Sequence, residues 1–321
     1  MGLGKIKFGV FLPFHMLPAK GISPTQRFSI IRDIVLECEN LGYNSFWLDD
    51  HLMYNDWPIL ECWTTLSALA ANTSKIRLGT MVTCNAHRNP AVLAKVAATL
   101  DVISGGRVEL GIGAGVQEKE HNSYGFGFPK FSFRTEALEE AVQVIKQLWS
   151  EKETSFQGKH YTLRDAVCEP KPIQKPYPPI TVGGSSELLL RTVTAPYADR
   201  FDWGLLPINE YKNKLKTLEA HCKAIGRDFA QIEKSCWPAG QLLIAEKPRD
   251  LDTEISRHKP DNVSLEDFKK TTLATTPDEC LEQLQVYINL GVTYFMLYFA
   301  DFPSTKGLKL FAEKVASRIG G

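Results

Sequence analysis

The stretch NSFWLDDHLMY, residues 44–54, places Asp49, Asp50 and His51 directly after the apolar run Phe46, Trp47 and Leu48. An imidazole titrates near neutrality, so it can give or take a proton during a reaction. Carboxylates set behind a buried strand need cations or N–H donors, because a lone buried charge is costly. This group reads as a proton-handling site at a strand end, with His51 as donor or acceptor. The plainer reading is a structural histidine whose hydrogen bonds are satisfied. Tyr54 and Trp57 follow in the same loop and suit a pocket wall or a cover over the rim.

A second group is Gly183-Gly184-Ser185-Ser186, between a strand and a helix. Such a junction offers backbone N–H groups, hydroxyls and the positive helix end to a phosphate. An ordinary Ser N-cap after a tight turn is the alternative. The run GIGAG, residues 111–115, lacks the last glycine of G-x-G-x-x-G, so it does not read as a dinucleotide fingerprint. Its small residues, Gly113, Ala114 and Gly115, would let a flat ligand approach the backbone. G-x-S-x-G, H-E-x-x-H and P-loop motifs are absent. His121 with Glu118 and Glu120 makes no ligand set, and the seven cysteines contain no C-x-x-C pair. No metal is expected.

Alternating strand and helix signals would position these groups. Strands are predicted at 5–13, 44–48, 75–82, 107–113, 178–184 and 200–204, one within 232–245, and one at 292–299. Helices start at Ser23-Pro24 and Asn89-Pro90, each an N-cap followed by a first-turn proline. Others cover 58–71, 134–149, 210–225 and 306–319, and one starts at about Ser186. Thr276-Pro-Asp-Glu279 is a capping box that opens one more. The strands are apolar on both faces and separated by helices, as parallel strands covered on both sides must be. Eight such units in 321 residues predict an α/β fold, a (β/α)8 TIM barrel in a single domain over 1–321, rather than an open doubly wound sheet. Insertions fall at about 114–133, 151–177 (a hairpin and a Pro-rich connector) and 244–275, the last charged and irregular. The strand C-termini converge on one face, which brings Pro13–His15, Asp49–His51, Thr83–Asn85, Ala114–Val116 and Gly183–Ser186 around a common mouth.

With 37 basic and 37 acidic residues, the chain carries no basic stripe for nucleic acid. No apolar run approaches the roughly 20 residues of a membrane span. The short apolar N-terminus reads as a strand rather than a signal peptide, and scattered thiols fit the cytoplasm.

Four stretches carry a resemblance over nearly the whole chain. They are FWLDDH (46–51), LGTMVTCNAHRNPAVLAKVAATLDVISGGRVELGIGAG (78–115), EHNSYGFGFP (120–129) followed by RTEALEEAVQVIKQLW (134–149), and PKPIQKPYPPITVGGSS (170–186). The chain resembles the luciferase-like monooxygenase (bacterial luciferase) superfamily, above all its members that use the deazaflavin coenzyme F420. The resemblance implies a barrel holding the flavin edge-on at its C-terminal mouth, phosphate toward the fifth unit. It implies that Asp50 and His51 contact the ring and its substrate, and that Gly183, Gly184, Ser185 and Ser186 form the phosphate-side loop. A bulge with a non-prolyl cis peptide behind the ring would fall at Met81-Val82. Thr83, Gly113, Ala114 and Gly115 would complete the cofactor wall. Phe14, His15, Tyr54, Trp57 and Glu118 would form the substrate pocket. Val116 stands where some sugar-phosphate and alcohol dehydrogenases of the family carry a glutamate, so that general acid is not implied here, and a sugar-phosphate substrate is disfavoured.

The expectation is an F420-dependent oxidoreductase transferring a hydride between the deazaflavin C5 and a small organic substrate, with His51 moving the proton. An FMN-dependent monooxygenase and a non-catalytic flavin-binding protein are the alternatives. A Schiff-base aldolase would need a lysine at a strand end, whereas Lys5, Lys7 and Lys75 lie at strand starts. The resemblance also implies a homodimer, expected through the early helices.

Overall fold

The computed structural model describes residues 6–17, 20–260 and 263–319. Eight parallel strands form the barrel: β1 (Lys7–Leu12), β2 (Ser45–Leu48), β3 (Arg77–Thr80), β4 (Val108–Gly113), β5 (Ile180–Gly183), β6 (Arg200–Asp202), β7 (Ser235–Cys236) and β8 (Tyr294–Leu297). They pair in the order β7-β8-β1-β2-β3-β4-β5-β6. A parallel bridge between Arg200 and Glu233 brings β6 beside the segment entering β7, so the ring nearly closes. β2, β4 and β8 are buried at every residue, as strands sandwiched between barrel interior and helices must be.

Local chemistry sets the helices. Ser23 and Gln26 form a reciprocal capping box at 3.2 and 2.9 Å, opening Pro24–Asn40. The Asn89 side chain accepts from the Ala91 N–H at 2.9 Å, opening Pro90–Ser104. Gly105 closes that helix at φ 71°, a conformation that glycine adopts without a Cβ clash. The second helix starts at Cys62 rather than at 58, because the Glu61 carboxylate caps the Trp63 and Thr64 N–H groups.

The barrel interior is plugged at its N-terminal end. Lys7, Glu233, Arg200, Glu109 and Arg77 form a chain of ion pairs of 2.5–2.9 Å. Arg200 lies 3.8 Å over the Tyr294 ring. Above it Trp47 packs with Met81, Tyr294 and Met296. Gly79 makes room for this indole: a Cβ there would sit 2.3 Å from Trp47. The opposite, C-terminal end is left for the site.

After β3 the Met81–Val82 peptide is cis. The chain then rejoins the sheet, Thr83 pairing with Ile112 and Cys84 with Gly113 of β4.

Residues 244–275 correct the expectation of an irregular loop. Gln241–Ile244 pairs in parallel with Thr272–Thr275, and the helices Pro248–His258 and Leu265–Thr271 lie between them. The charges belong to the solvated faces of these helices, whose apolar contacts come from Ile255 and Phe268. The interval expected to hold one strand, 232–245, therefore holds two: β7 in the barrel and Gln241–Ile244 outside it. The hairpin in 151–177 is Thr154–Gln157 against Thr162–Ala166. All seven cysteines are free and buried. Among the described residues no helix is long and apolar enough to cross a membrane.

Candidate active site

A cavity of about 530 Å³ opens at the C-terminal ends of the strands. Phe11, Met81, Val82, Leu189, Trp203 and Trp237 give it apolar walls. Asp50, His51, Gly113, Ala114, Gly115, Gly183, Gly184, Ser185 and Ser186 line it too.

β2 delivers the acidic pair. Asp49 accepts the Phe14 N–H at 2.8 Å, tying the exit of β1 to that of β2. Burial pushes the Asp49 carboxyl up to about 6. Asp50 is gripped by Arg88 through both oxygens, at 2.5 and 2.9 Å, and Arg88 also reaches Glu61 at 2.5 Å. Burial raises the Asp50 carboxyl and Arg88 pulls it back.

His51 Nδ1 lies 2.9 Å from Glu120 Oε2. Burial disfavours a charge on His51. The Glu120 hydrogen bond and the fields of Asp49, Glu120 and Asp50 outweigh it and hold the imidazole above its ordinary value. Burial would raise Glu120, but His51 and the Leu52 and Met53 N–H groups hold its carboxyl below the usual range. With Nδ1 committed to Glu120, Nε2 remains for a reacting atom.

On the phosphate side, Gly184 sits at φ 112° and donates to the Asp202 carbonyl at 2.7 Å. The Ser186 hydroxyl accepts the Leu189 N–H at 3.3 Å. The Ser185 and Ser186 backbone N–H groups have no protein partner among the described residues.

Six expected site residues lie off the cavity wall. Phe14 is fully buried in the core, because Asp49 pins its N–H and turns the chain inward. Thr83 stands behind the wall, accepting from the Trp63 indole at 3.2 Å. His15 stacks on Tyr54 at 4.7 Å, and Tyr54 lies 5.9 Å from His51, so both sit beside the histidine at the rim. Burial and the nearby His51 lower the His15 imidazole. Trp57 closes a turn back to Tyr54. Glu118 is exposed. Two residues along a helix is about 200° of rotation, and Glu120 is the acid that faces inward.

Cys84, expected at the mouth after the third strand, lines the cavity, whereas sequence reasoning missed Glu120, Arg88, Asp202, Trp237 and His121 as site groups. Asp202 ends β6 and Trp237 follows β7, the two joined by an indole-to-carboxylate hydrogen bond. Reading the ends of β6 and β7 as β2 was read would have found both.

An F420-dependent glucose-6-phosphate dehydrogenase of Amycolatopsis mediterranei is 27% identical, covering 90% of this chain and 94% of the relative. One from Kineococcus radiotolerans is 28% identical, covering 89% and 91%. Among solved structures, an F420-dependent secondary alcohol dehydrogenase with an F420-acetone adduct superposes with a TM-score of 0.79 at 22% identity, covering 97% and 98%. A coenzyme F420 dependent tetrahydromethanopterin reductase from Methanopyrus kandleri does so with 0.78 at 20% identity, covering 98% and 100%. These structures share the barrel fold. The sequence model of the luciferase-like monooxygenases matches residues 6–259, and the chain belongs to that family.

Proposed function

We propose that this protein is a coenzyme F420-dependent oxidoreductase that moves a hydride to or from a small uncharged organic substrate. The observation that carries the reading is the His51–Glu120 pair on the cavity wall, 2.9 Å apart. The similarity to F420-dependent dehydrogenases, which covers 89–90% of this chain, supports it.

The cavity suits such a cofactor. Its walls are apolar and aromatic where a flat ring would lie. The Trp203 indole N–H is buried without a partner among the described residues, and so is a donor still to be used. Gly183–Ser186, with the free N–H groups of Ser185 and Ser186, would hold the phosphate. Asp50, locked by Arg88, would give the ring a fixed acceptor. When bound, F420 supplies a two-electron hydride donor or acceptor at C5.

This chain's residues supply the rest. A hydride added to a C=O or C=C bond leaves negative charge that needs a proton, and its removal from an alcohol releases one. His51 Nε2 gives or takes that proton. Glu120 fixes the tautomer through Nδ1–H and stabilises the imidazolium, the task of the acid in a catalytic triad. The apolar walls keep water from the reacting bond. The protein is expected to work as a homodimer through helix Pro90–Ser104, where Val92, Val102 and Ile103 are exposed, and in the cytoplasm, where its free thiols stay reduced.

Binding titrations with F420 and with FMN, followed by fluorescence, test the reading. Tight F420 binding with weak FMN binding is expected. FMN binding more tightly would move the reading to oxygen chemistry and overturn it.

A further inference from the structure

We propose that Cys84, His87 and His121 form a site for a borderline-soft divalent transition metal of the zinc type, set in the wall of the cofactor cavity.

One ligand atom from each residue lies within 4.8 Å of the others. Cys84 Sγ is 3.5 Å from His121 Nε2. With metal–sulfur and metal–nitrogen bonds of about 2.3 and 2.0 Å, a tetrahedral site has a sulfur–nitrogen edge of roughly 3.5 Å. Two of the ligands are therefore already spaced for a common ion. His121 Nδ1 lies 2.9 Å from the Gln117 carbonyl, to which it donates. Its Nε2 is thereby the unprotonated nitrogen turned to Cys84. A backbone carbonyl orienting a histidine in this way is the usual outer shell of a metal-bound imidazole.

A thiol-to-imidazole hydrogen bond explains the Cys84–His121 distance without an ion. It does not explain His87. That side chain is 1% exposed, and neither ring nitrogen has a hydrogen-bond partner. Burying an imidazole unbonded is costly. A metal on one nitrogen removes much of that cost. Glu120 Oε2 is 3.8 Å from His87 Nε2, but it is engaged by His51. The fourth position is left to an exogenous ligand such as water.

Room for the ion is built in. A Cβ on Gly115 would stand 2.7 Å from His121 Nε2 and 2.8 Å from Cys84 Sγ, so any larger residue crowds both ligand atoms. Phe126 stacks on His87 at 5.3 Å and Phe128 meets His121 edge-on at 5.0 Å, giving an apolar surround. Cys84, Gly115 and His121 also line the cavity, which gives a metal its path in. Binding would replace the thiol proton with a metal–sulfur bond and release one proton per ion. The ion would clip the loop after β3 to helix Glu118–Ser123.

The test is a Co²⁺ titration of the full chain after chelator treatment, without cofactor, so its outcome is independent of the F420 reading. The expected result is one Co²⁺ per chain, a thiolate-to-cobalt charge-transfer band, the strong visible bands of a tetrahedral ion, and displacement of all of them by one equivalent of Zn²⁺. Cys84→Ala abolishes the charge-transfer band, His87→Ala weakens Co²⁺ binding at least tenfold, and Cys38→Ala changes neither. Circular dichroism checks that each variant is folded. Absence of the band in the folded wild-type chain overturns the proposal. So does a band that survives Cys84→Ala, or unchanged Co²⁺ affinity in His87→Ala, a variant that bears on the question even if Cys84→Ala does not fold.

Discussion

Glu120 ties His51 to the backbone of its own loop. One carboxylate oxygen is 2.9 Å from Nδ1, and the other accepts the Leu52 and Met53 N–H groups at 2.5 and 3.2 Å. A single side chain thus sets the orientation, the tautomer and the charge of the proposed proton carrier. Charge-assisted bonds of this kind are worth about 1.5–3 kcal/mol each.

His51→Ala is expected to lower F420-dependent turnover by about 10²–10⁴-fold, the usual contribution of a positioned acid or base. Cofactor affinity should change far less. Glu120 raises the imidazole, so the protonated form persists to higher pH than in an ordinary histidine. Rates that need protonated His51 should hold to higher pH and fall above its raised value. Glu120→Gln removes the charge and should move that limb to lower pH. A pH–kcat profile that stays in place in Glu120→Gln would refute the pairing.

Asp49 gives a stability prediction with a definite sign. Its folded value, about 6, lies above the ordinary 3.8 because of burial. Between these values the native state holds a proton that the unfolded chain has lost. Stability is therefore present at acid pH and declines as pH rises from about 4 to 6, by about 3 kcal/mol at ~1.4 kcal/mol per unit. Asp49→Asn keeps an acceptor for the Phe14 N–H and carries no charge. Its stability should lose this decline and exceed the wild type at neutral pH. Urea midpoints measured across that range decide it, and parallel curves for the two proteins would contradict the buried-charge account.

Val82 stands over two glycines. A Cβ on Gly113 or on Gly183 would lie 2.9 Å from its methyl carbons. Gly113→Ala should push Val82 toward the cavity and weaken F420 binding about tenfold, roughly 1.4 kcal/mol. Val82→Ala in the same chain should recover most of that loss. Additive losses in the double variant would show that the two side chains do not compete for space.

The sequence makes one half of this site readable. β2 and its polar tail stand out because an apolar run ends abruptly in Asp49, Asp50 and His51. Gly183–Ser186 stands out because glycines and serines meet at a strand–helix junction. The other half depends on contacts across the fold. Glu120 is 69 residues from His51, and the choice of Glu120 over Glu118 depends on which way a short helix is rotated. Phe14 looked accessible at the end of β1 until Asp49 took its N–H. The two helices in 244–275 hide in a charged stretch because few of their residues are buried.

The charge of the cavity argues against glucose 6-phosphate, the sugar phosphate in the names of the sequence relatives, as the substrate here. Asp50, Glu120 and Asp202 line it, and among the described residues no lysine or arginine does. Arg88, which holds Asp50, is already shared between Asp50 and Glu61. Arg134 does not line the cavity: its guanidinium lies 3.7 Å over the Phe128 ring and donates to the Gly115 carbonyl at 3.4 Å. A phosphate dianion would give up its hydration here and meet acids with no lysine or arginine to pair with, an unfavourable exchange in a partly dry site. A neutral secondary alcohol or ketone needs only apolar contact and one proton carrier, and both are present. With saturating F420, kcat/KM for such an alcohol should exceed that for glucose 6-phosphate by about 10²-fold or more, a gap of roughly 2.7 kcal/mol. The difference should sit mainly in KM, because a missing cation weakens binding before it affects the chemical step. Equal or better turnover of the sugar phosphate would mean that a cation reaches the bound substrate after all, and the uncharged-substrate reading would fall.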